Sequence, residues 1–235
     1  CLLHWSLGAE GFRAERSGES VSVDVALYEG AAREILGRDG KPLYSVMVNL
    51  LAQHVGRNAF LAARIAAMRR AGRVVLVLSQ RLVQLDRLQA LLRDAHGLGD
   101  DAVGRFTGST AERVRARELA KPVVLCTFEM ASEGVDKTEA DTCVIATPVG
   151  GGARLVQCIG RVQRPCPTKQ APRILDVADD AAVFAAMRWK RQRLYRAQGY
   201  AVRVASAHDP SAWVEPESDG RGDGADGGAS GAGEE

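Results

Sequence analysis

Four residues near the middle of the chain are spaced so that they could act together on a charged ligand. They are Gln157, Gly160, Arg161 and Arg164. If residues 153–164 form a helix, these positions stand at i, i+3, i+4 and i+7 and share one face. That face offers an amide, a gap without a side chain and two guanidinium groups, whose planar, permanently charged forks suit phosphate. Cations in a last helical turn can also simply complement the helix dipole, so the spacing alone leaves both interpretations open.

Two short apolar runs upstream predict the elements that position this face. Residues 123–126 and 143–146 are rich in β-branched side chains and bounded by turn residues, which is typical of strands buried in a parallel sheet. Each run is followed by a loop of small and charged residues, and ligands gather at the carboxyl ends of such strands. Leu155, Ile159 and Val162 lie on the opposite side of the predicted helix and are expected to pack on the sheet.

Residues 127–136 and 157–164 carry a resemblance to a known family. The first segment, TFEMASEGVD, resembles motif V of the superfamily 2 helicases, and the second, QCIGRVQR, resembles their motif VI, QxxGRxxR. Both occur in the order that the family shows. The ASEGVD form, the glycine-rich turn at 147–152 and the IGRVQR ending are most similar to helicases of phages, poxviruses and other large DNA viruses that act in DNA repair and transcript release. The resemblance covers residues 20–198.

This resemblance implies roles in ATP hydrolysis for five residues. Arg164 would be the arginine finger aimed at the γ-phosphate, Arg161 would share that charge, and Gln157 would position them or the attacking water. An arginine finger can raise the rate of phosphoryl transfer by about 10³–10⁵. In motif V, Asp136 would accept a hydrogen bond from the ribose, and Gly134 would allow its close approach.

The resemblance also implies contacts with nucleic acid at the ends of three predicted strands. The candidates follow those strands and offer hydroxyl, amide, guanidinium or backbone groups: Ser79, Gln80, Arg81, Thr107, Gly108 and Thr127. Ser79, Gln80 and Arg81 follow the strand predicted at 74–78 and resemble motif IV. Such groups bind phosphate and fix the register of a strand without reading its sequence. Ser79 could instead cap the helix that follows it.

The alternation of predicted strands and helices favours an α/β fold, and the resemblance specifies a RecA-like domain of three layers, αβα, around a mostly parallel sheet. Residues 1–55 are interpreted as an inter-domain connector with a first strand. Residues 56–205 are interpreted as the helicase C-terminal RecA-like domain. Residues 206–235, rich in Gly and Asp towards their end, are predicted to be a disordered tail because they hold too little apolar surface to offset ordering entropy.

Three local patterns add predictions that concern polar side chains. Residues 57–70 and 181–198 are predicted helices whose arginines are expected mostly on solvated faces. Gly199 is expected to stop the second of these helices. Residues 109–112, STAE, have the form of a capping box at the start of another helix.

Composition and charge describe an ordinary globular protein with a basic body. The chain has 235 residues, of which 46% are hydrophobic and 26% charged. No apolar run approaches the ~20 residues that span a membrane, so no membrane partner is expected.

The charge is unevenly distributed along the chain. Residues 217–235 carry six acids and one arginine, a net charge of −5. Because the whole chain has a net charge of +2, residues 1–216 carry +7. A basic body favours a polyanionic partner, with DNA favoured over RNA by the resemblance, although solubility alone would also explain it.

The cysteines and the ends of the chain give further expectations. Five scattered cysteines without CxxC spacing indicate a reducing, intracellular location, and the nucleus, the cytoplasm and a virion stay open. The chain begins with Cys1 and is interpreted as a fragment of a longer product.

The ATP cradle of a motor is missing from the sequence. There is no GxxxxGK[ST] P-loop and no DExD/H box, and residues 37–42 have neither the spacing nor the hydroxyl. ATP and Mg²⁺ are implied by the resemblance, but their cradle and metal ligands are expected on a first RecA-like domain in cis, and no metal site is predicted here. The chain alone is therefore expected to be inactive.

Two other functions stay open at the level of sequence. A non-catalytic nucleic-acid-binding or partner-binding module derived from a helicase would keep this fold without the motor. A dinucleotide-dependent enzyme is suggested by Gly150, Gly151 and Gly152 before a helix. The second alternative lacks the GxGxxG fingerprint, and its glycines come late in the chain rather than after the first strand.

Overall fold

Seven strands form one sheet in the computed structural model, which describes residues 20–213. The strands are β1 (Ser22–Tyr28), β2 (Val75–Ser79), β3 (Val103–Phe106), β4 (Val123–Thr127), β5 (Thr142–Ile145), β6 (Arg173–Asp179) and β7 (Ala201–Ser206). Their order is β3-β4-β2-β5-β6-β1-β7, and every neighbouring pair is parallel. The carboxyl ends of all seven strands therefore meet at one edge.

Helices cover both faces of this sheet. They are α1 (Tyr44–Gln53), α2 (Val55–Arg70), α3 (Leu82–His96), α4 (Glu112–Ala120), α5 (Phe128–Glu133), α6 (Ala153–Val162) and α7 (Ala182–Ala197), followed by a 3₁₀ turn at Pro210–Trp213. Side chains alternate along each strand, so that Leu76 and Leu78 pack with α5, α6 and α7 while Val75 and Val77 pack with α2 and α3. The predicted α/β, RecA-like fold of three layers is confirmed.

The carboxyl-terminal part of the described chain adds an edge strand that the sequence pattern did not indicate. Strand β7 is half exposed along its length because it pairs on one side only, with β1, and its side chains are correspondingly less apolar. The chain then returns across the α2 face, where buried Trp213 donates from Nε1 to the carbonyl of Ser206 at 2.8 Å. The guanidinium carbons of Arg64 and Arg203 lie 5.6 and 5.5 Å from the Trp213 ring centre.

Residues 206–213 were assigned to the tail and are part of this fold. The remaining tail, 214–235, and the first 19 residues lie outside the described residues. The first strand predicted within residues 1–55 is β1, which lies inside the sheet between β6 and β7. The three ranges drawn from the sequence, with the two boundaries between them, stay predictions.

Arg57 of α2 is fully buried, which corrects the expectation that it lies on a solvated face. Its Nε and Nη2 donate to the two carboxylate oxygens of Asp179 at 2.7 and 2.9 Å, and its Nη1 donates to the carbonyl of Ala146 at 2.6 Å. Burial raises the pKa of Asp179 above its usual value, and the charge of Arg57 opposes that rise. The pair ties α2 to the carboxyl ends of β5 and β6.

Arg191 of α7 forms a second buried pair and was likewise expected to face solvent. Its Nε and Nη2 donate to Asp176 at 2.8 Å each, and its Nη1 donates to the carbonyl of Val149 at 2.5 Å. The hydroxyl of Tyr195 donates to the same carboxylate at 3.0 Å, and burial raises the pKa of Tyr195 well above its usual value. Gly199 ends α7 as predicted, with a φ of 72° that favours glycine.

We expect Arg57→Met to lower the free energy of unfolding by about 3–5 kcal/mol, because Asp179 would be left buried without its counterion. Urea titrations at several pH values measure this loss. A carboxyl whose pKa is raised in the folded state binds its proton more tightly there. The loss of stability in Arg57→Met should therefore be largest above the pKa of Asp179 in the folded state, and it should shrink as the pH falls through that pKa.

The double variant Arg57→Met with Asp179→Leu is the matched control. It removes both charges and should recover most of the lost stability, since apolar replacements of buried pairs are often neutral. A double variant as unstable as the single one would contradict the counterion argument.

Candidate functional site

Helix α6 carries the candidate face but ends two residues earlier than predicted. It runs from Ala153 to Val162, and Gln163 is its C-cap residue. Arg164 lies beyond the helix because the ring of Pro165 disfavours helical geometry in the residue before it. Leu155, Ile159 and Val162 are buried against the sheet, as expected. Arg161 therefore lies in the last turn of α6, whereas Arg164 lies in the segment that follows the helix.

Arg161 is bound to the protein itself. Its Nη2 donates to the carbonyl of Ser132 at 2.7 Å, and its Nη1 donates to the carbonyl of Val135. These carbonyls lie at and just beyond the end of α5, where backbone acceptors lack helical partners. Arg161 thus joins motif VI to motif V, and the loop after α5 takes its position from α6.

Arg164 and Asp136, the predicted finger and the predicted ribose acceptor, are partners of each other. Nη1 of Arg164 lies 2.7 Å from Oδ1 of Asp136. The two side chains are 43% and 81% exposed, and a pair this open contributes only about 0–1 kcal/mol. Next to Asp136, buried Lys137 donates from Nζ to the carbonyl of Leu119 at 2.6 Å, and burial lowers the pKa of Lys137. The carboxylate is therefore held near Arg164 by an anchored loop.

The other residues of the predicted ATP contact lie close by. Gln157 is exposed and stands one turn before Arg161 on α6. A Cβ added at Gly160 would meet nothing within 4 Å, so the surface beside it is open. Gly134 has a φ of −134°, and a Cβ there would lie at an ordinary 3.5 Å from Cζ of Phe106. Within the domain, nothing requires glycine at position 134.

Four hydroxyl residues stand side by side at the carboxyl edge of the sheet. Thr107, Thr127, Ser79 and Thr147 end or follow β3, β4, β2 and β5, which are adjacent in that order. Thr127 pairs in register with Ser79, and the backbone N–H of Gln80 donates to Oγ1 of Thr147 at 2.9 Å. We call this set the hydroxyl row. Thr147 was not among the sequence candidates, although it follows its strand as the others follow theirs.

Members of the hydroxyl row differ in how they are held. Ser79 is buried, donates to Oε1 of Gln84 at 2.8 Å and accepts from the N–H of Arg81 at 3.0 Å. The cap residue of α3 is Arg81, so the alternative that Ser79 caps that helix is wrong. Thr127 is half-buried and caps α5 by accepting from the N–H of Met130 at 3.4 Å.

The turn at Thr107 and Gly108 is built by Thr110, which lies within the segment that was expected to form a capping box. Thr110 accepts from the N–H of Thr107 at 2.9 Å and donates to the carbonyl of Arg105 at 3.2 Å. Helix α4 begins after Ala111, which makes no side-chain cap, so the capping-box prediction is wrong. Buried Thr107 shares a hydroxyl contact of 3.0 Å with Ser109, while Gly108 is exposed.

Helix α1 holds the side chains of Gln80 and Arg81. Nε2 of Gln80 donates to the hydroxyl of Tyr44 at 2.9 Å and to the carbonyl of Pro148 at 2.6 Å. Nη2 of Arg81 donates to Oγ of Ser45 at 3.0 Å. The structure therefore brings the predicted motif IV residues to the hydroxyl row but directs two of their side chains towards α1.

Two further properties concern metals and membranes. Between residues 20 and 213, no group of three or more His, Cys, Asp or Glu residues could hold a metal ion. In the same range no helix is long and apolar enough to cross a membrane.

Comparison with known proteins agrees with this geometry. Residues 56–166 match the family described as the helicase conserved C-terminal domain. These residues are therefore similar to a helicase C-terminal domain. A putative ATP-dependent RNA helicase of Acanthamoeba polyphaga mimivirus is 27% identical over 213 residues, which cover 86% of this chain. Because those residues cover only 40% of the viral protein, this chain spans about two fifths of its relative. The match to a large DNA virus bears out the predicted resemblance.

Two solved structures share the fold of this domain. T4 UvsW superposes with a TM-score of 0.59 at 15% identity, over 80% of this chain and 42% of UvsW. The C-terminal domain of the DEAD-box protein Dbp5 superposes with a TM-score of 0.55 at 13% identity, over 81% of this chain and 93% of that domain. At these identities the likeness concerns the fold alone.

The two arginines of motif VI should differ in their effect on stability. Arg161→Ala removes charged donors from two backbone carbonyls and should lower the free energy of unfolding by about 1–3 kcal/mol. Arg164→Ala removes an exposed ion pair and should cost less than about 1 kcal/mol. Urea denaturation of both variants measures the difference. Equal losses would show that Arg161 does not hold the two motifs together.

Proposed function

We propose that this chain is the second motor domain of an ATP-dependent helicase or translocase, with Arg164 as its arginine finger and Asp136 as its ribose acceptor. The observation that carries the proposal is the clamp of Arg161 on the carbonyls of Ser132 and Val135. Because of that clamp, the loop with Asp136 and the end of α6 with Arg164 occupy one exposed site. Phosphoryl transfer needs positioned charge more than it needs covalent chemistry, and this site offers a positioned guanidinium.

Nucleotide binding would exchange the ion pair of this site for contacts with ATP. A ribose hydroxyl would donate to Asp136, and the γ-phosphate would accept from Arg164. The exchange is inexpensive because the pair is exposed and weak. Gln157, one turn before Arg161, is placed to reach the same phosphate or a water beside it. Arg161, with its carbonyl partners, would act mainly as a positioning residue.

Helix α5 offers a physical route between nucleotide and nucleic acid. Its first turn is capped by Thr127 of the hydroxyl row, and its end is gripped by Arg161. The helix is only six residues long, so a displacement of α6 on hydrolysis would move both of its ends. The row would contact the backbone of a strand, because hydroxyls at strand ends suit phosphate rather than base edges.

The nucleic acid and the metal ion are also part of this proposal. The viral relative is named an RNA helicase, whereas the motif forms favour DNA. Activity should therefore be assayed with both DNA and RNA. Mg²⁺ would neutralise charge on the β- and γ-phosphates when bound, and its ligands would come from a first RecA-like domain in cis. The residues of this chain would bind ribose, phosphate and strand.

We expect this chain by itself to hydrolyse ATP no faster than a buffer blank, with either single-stranded DNA or RNA present, because a P-loop is missing. Release of phosphate from Mg-ATP measures the rate. Turnover by the chain that disappears in Arg164→Ala would contradict the assignment of the cradle to another domain.

In a longer chain that includes a first motor domain, Arg164→Ala should lower kcat by about 10² or more and leave nucleotide affinity within a few-fold, since a finger acts where charge develops in the transition state. Asp136→Ala should weaken nucleotide binding by about 1–3 kcal/mol through the lost ribose contact. Steady-state kinetics and nucleotide titration separate the two effects.

Arg154→Ala is the matched control, because Arg154 is an exposed arginine in the first turn of the same helix. It should turn over like the parent. If Arg164→Ala also does so while both variants stay folded, the assignment of Arg164 as the arginine finger is wrong.

A further inference from the structure

Helix α7 carries a charged surface that the proposed motor site does not use. Its buried side holds Arg191 and Tyr195, and its outer side holds Lys190, Arg193 and Arg196, all exposed. None of these three outer cations forms an ion pair with another residue between 20 and 213. The helix packs on the same sheet face as α5 and α6, whereas the hydroxyl row lies at the sheet edge. The outer cations therefore form a separate surface.

A cavity lies between this surface and the glycine loop before α6. Its volume is about 590 Å³, and it is lined by Gly150, Gly151, Gly152, Lys190, Arg193, Leu194 and Ala197. A Cβ at Gly151 would come within 3.2 Å of the carbonyl of Lys190, a tight contact, so a glycine favours this close approach of the loop to α7. Side chains at Gly150 or Gly152 would meet nothing within 4 Å. The loop thus closes one wall of the cavity and leaves its space open.

An exposed tryptophan adjoins the cations. Trp189 is 54% exposed, and it precedes Arg193 by four positions, so that the two share one side of the helix. The guanidinium carbon of Arg188 lies 5.2 Å from the Trp189 ring centre, and Nε of Arg188 is buried without a hydrogen-bond partner among the described residues. Arg188 therefore makes a cation–π contact with the ring of Trp189, which is next in sequence to Lys190 of the cavity wall.

We propose that this surface binds a single strand of nucleic acid, with an unpaired base stacked on Trp189 and its flanking phosphates on Lys190 and Arg193. Cations alone would fit any polyanion, but a half-exposed indole ring next to them fits the π-face of a base. A duplex keeps its bases stacked on one another, so the ring selects unpaired strand. This site is additional to the hydroxyl row and does not depend on the ATP site.

Fluorescence anisotropy of a short labelled single-stranded oligonucleotide, titrated with the full chain, tests the proposal. Trp189→Ala should weaken binding by about 5- to 100-fold, the range found when a stacked aromatic is removed. Arg193→Ala should also weaken binding and should reduce the slope of log affinity against log salt by about 0.7, the change expected for one lost phosphate contact on a single strand. Trp189→Ala should leave that slope unchanged, because stacking releases no counterions.

Three further variants control this result. Arg70→Ala removes an exposed arginine from α2, on the opposite face, and should bind like the parent. Gly150→Leu fills the cavity and should weaken binding without loss of stability. Trp189→Phe keeps a ring and should bind within a few-fold of the parent, while it should abolish the quenching of tryptophan fluorescence by the oligonucleotide.

Affinity unchanged in Trp189→Ala, or quenching that persists in Trp189→Phe, would overturn the proposal. Equal weakening of poly-glutamate binding by Trp189→Ala would also overturn it, because the surface would then be a general polyanion site. The Trp189→Ala titration is repeated in a chain that carries Thr127→Ala. A Trp189 effect that persists while Thr127→Ala changes nothing would support this surface and count against the hydroxyl row, so the two assignments can fail separately.

Discussion

The loop between β5 and α6 is held by two buried arginines from opposite sides of the sheet, and the rest of the site depends on them. Arg57 reaches it from α2 at the carbonyl of Ala146, and Arg191 reaches it from α7 at the carbonyl of Val149. Each guanidinium is also neutralised by a buried aspartate of β6. Burying such pairs costs desolvation that their attraction only partly offsets. In return, both ends of the loop are fixed by directional bonds, so that α6 begins at a defined place and angle.

The sequence pattern predicted the parts of this fold that burial alone determines. Strands β2, β4 and β5 are buried on both faces and appear as apolar runs, and α6 shows its apolar side in Leu155 and Ile159. Strand β7 was missed because an edge strand is half exposed and its composition is mixed. Arg57 was placed on the wrong side for a different reason: its partner Asp179 lies 122 positions away, and no local pattern reports a counterion at that distance.

The sequence predicted which residues form the candidate site, but not which interactions each of them makes. Motif spacing identified Arg161 and Arg164 as a pair, but it could not show that α6 ends at Val162 and gives them different surroundings. Thr110 lay inside the predicted capping box, but its hydroxyl serves the turn at Thr107, because several backbone groups compete for one threonine. Such competition is decided by tertiary geometry, which spacing does not contain.

One loop connects the three surfaces that we propose to bind ligands. Thr147 stands in the hydroxyl row, the carbonyl of Val149 is held by α7, and Gly150 to Gly152 line the cavity before α6 begins. At the far end of α6, Arg161 grips the loop that carries Asp136. Three ligands would therefore contact elements that are joined by this loop and α6. They are a nucleic-acid strand on α7, a nucleic-acid strand at the hydroxyl row and a nucleotide beside Arg164. The loop is anchored by buried charge pairs through the carbonyls of Ala146 and Val149, so we expect a displacement at one surface to reach the other two.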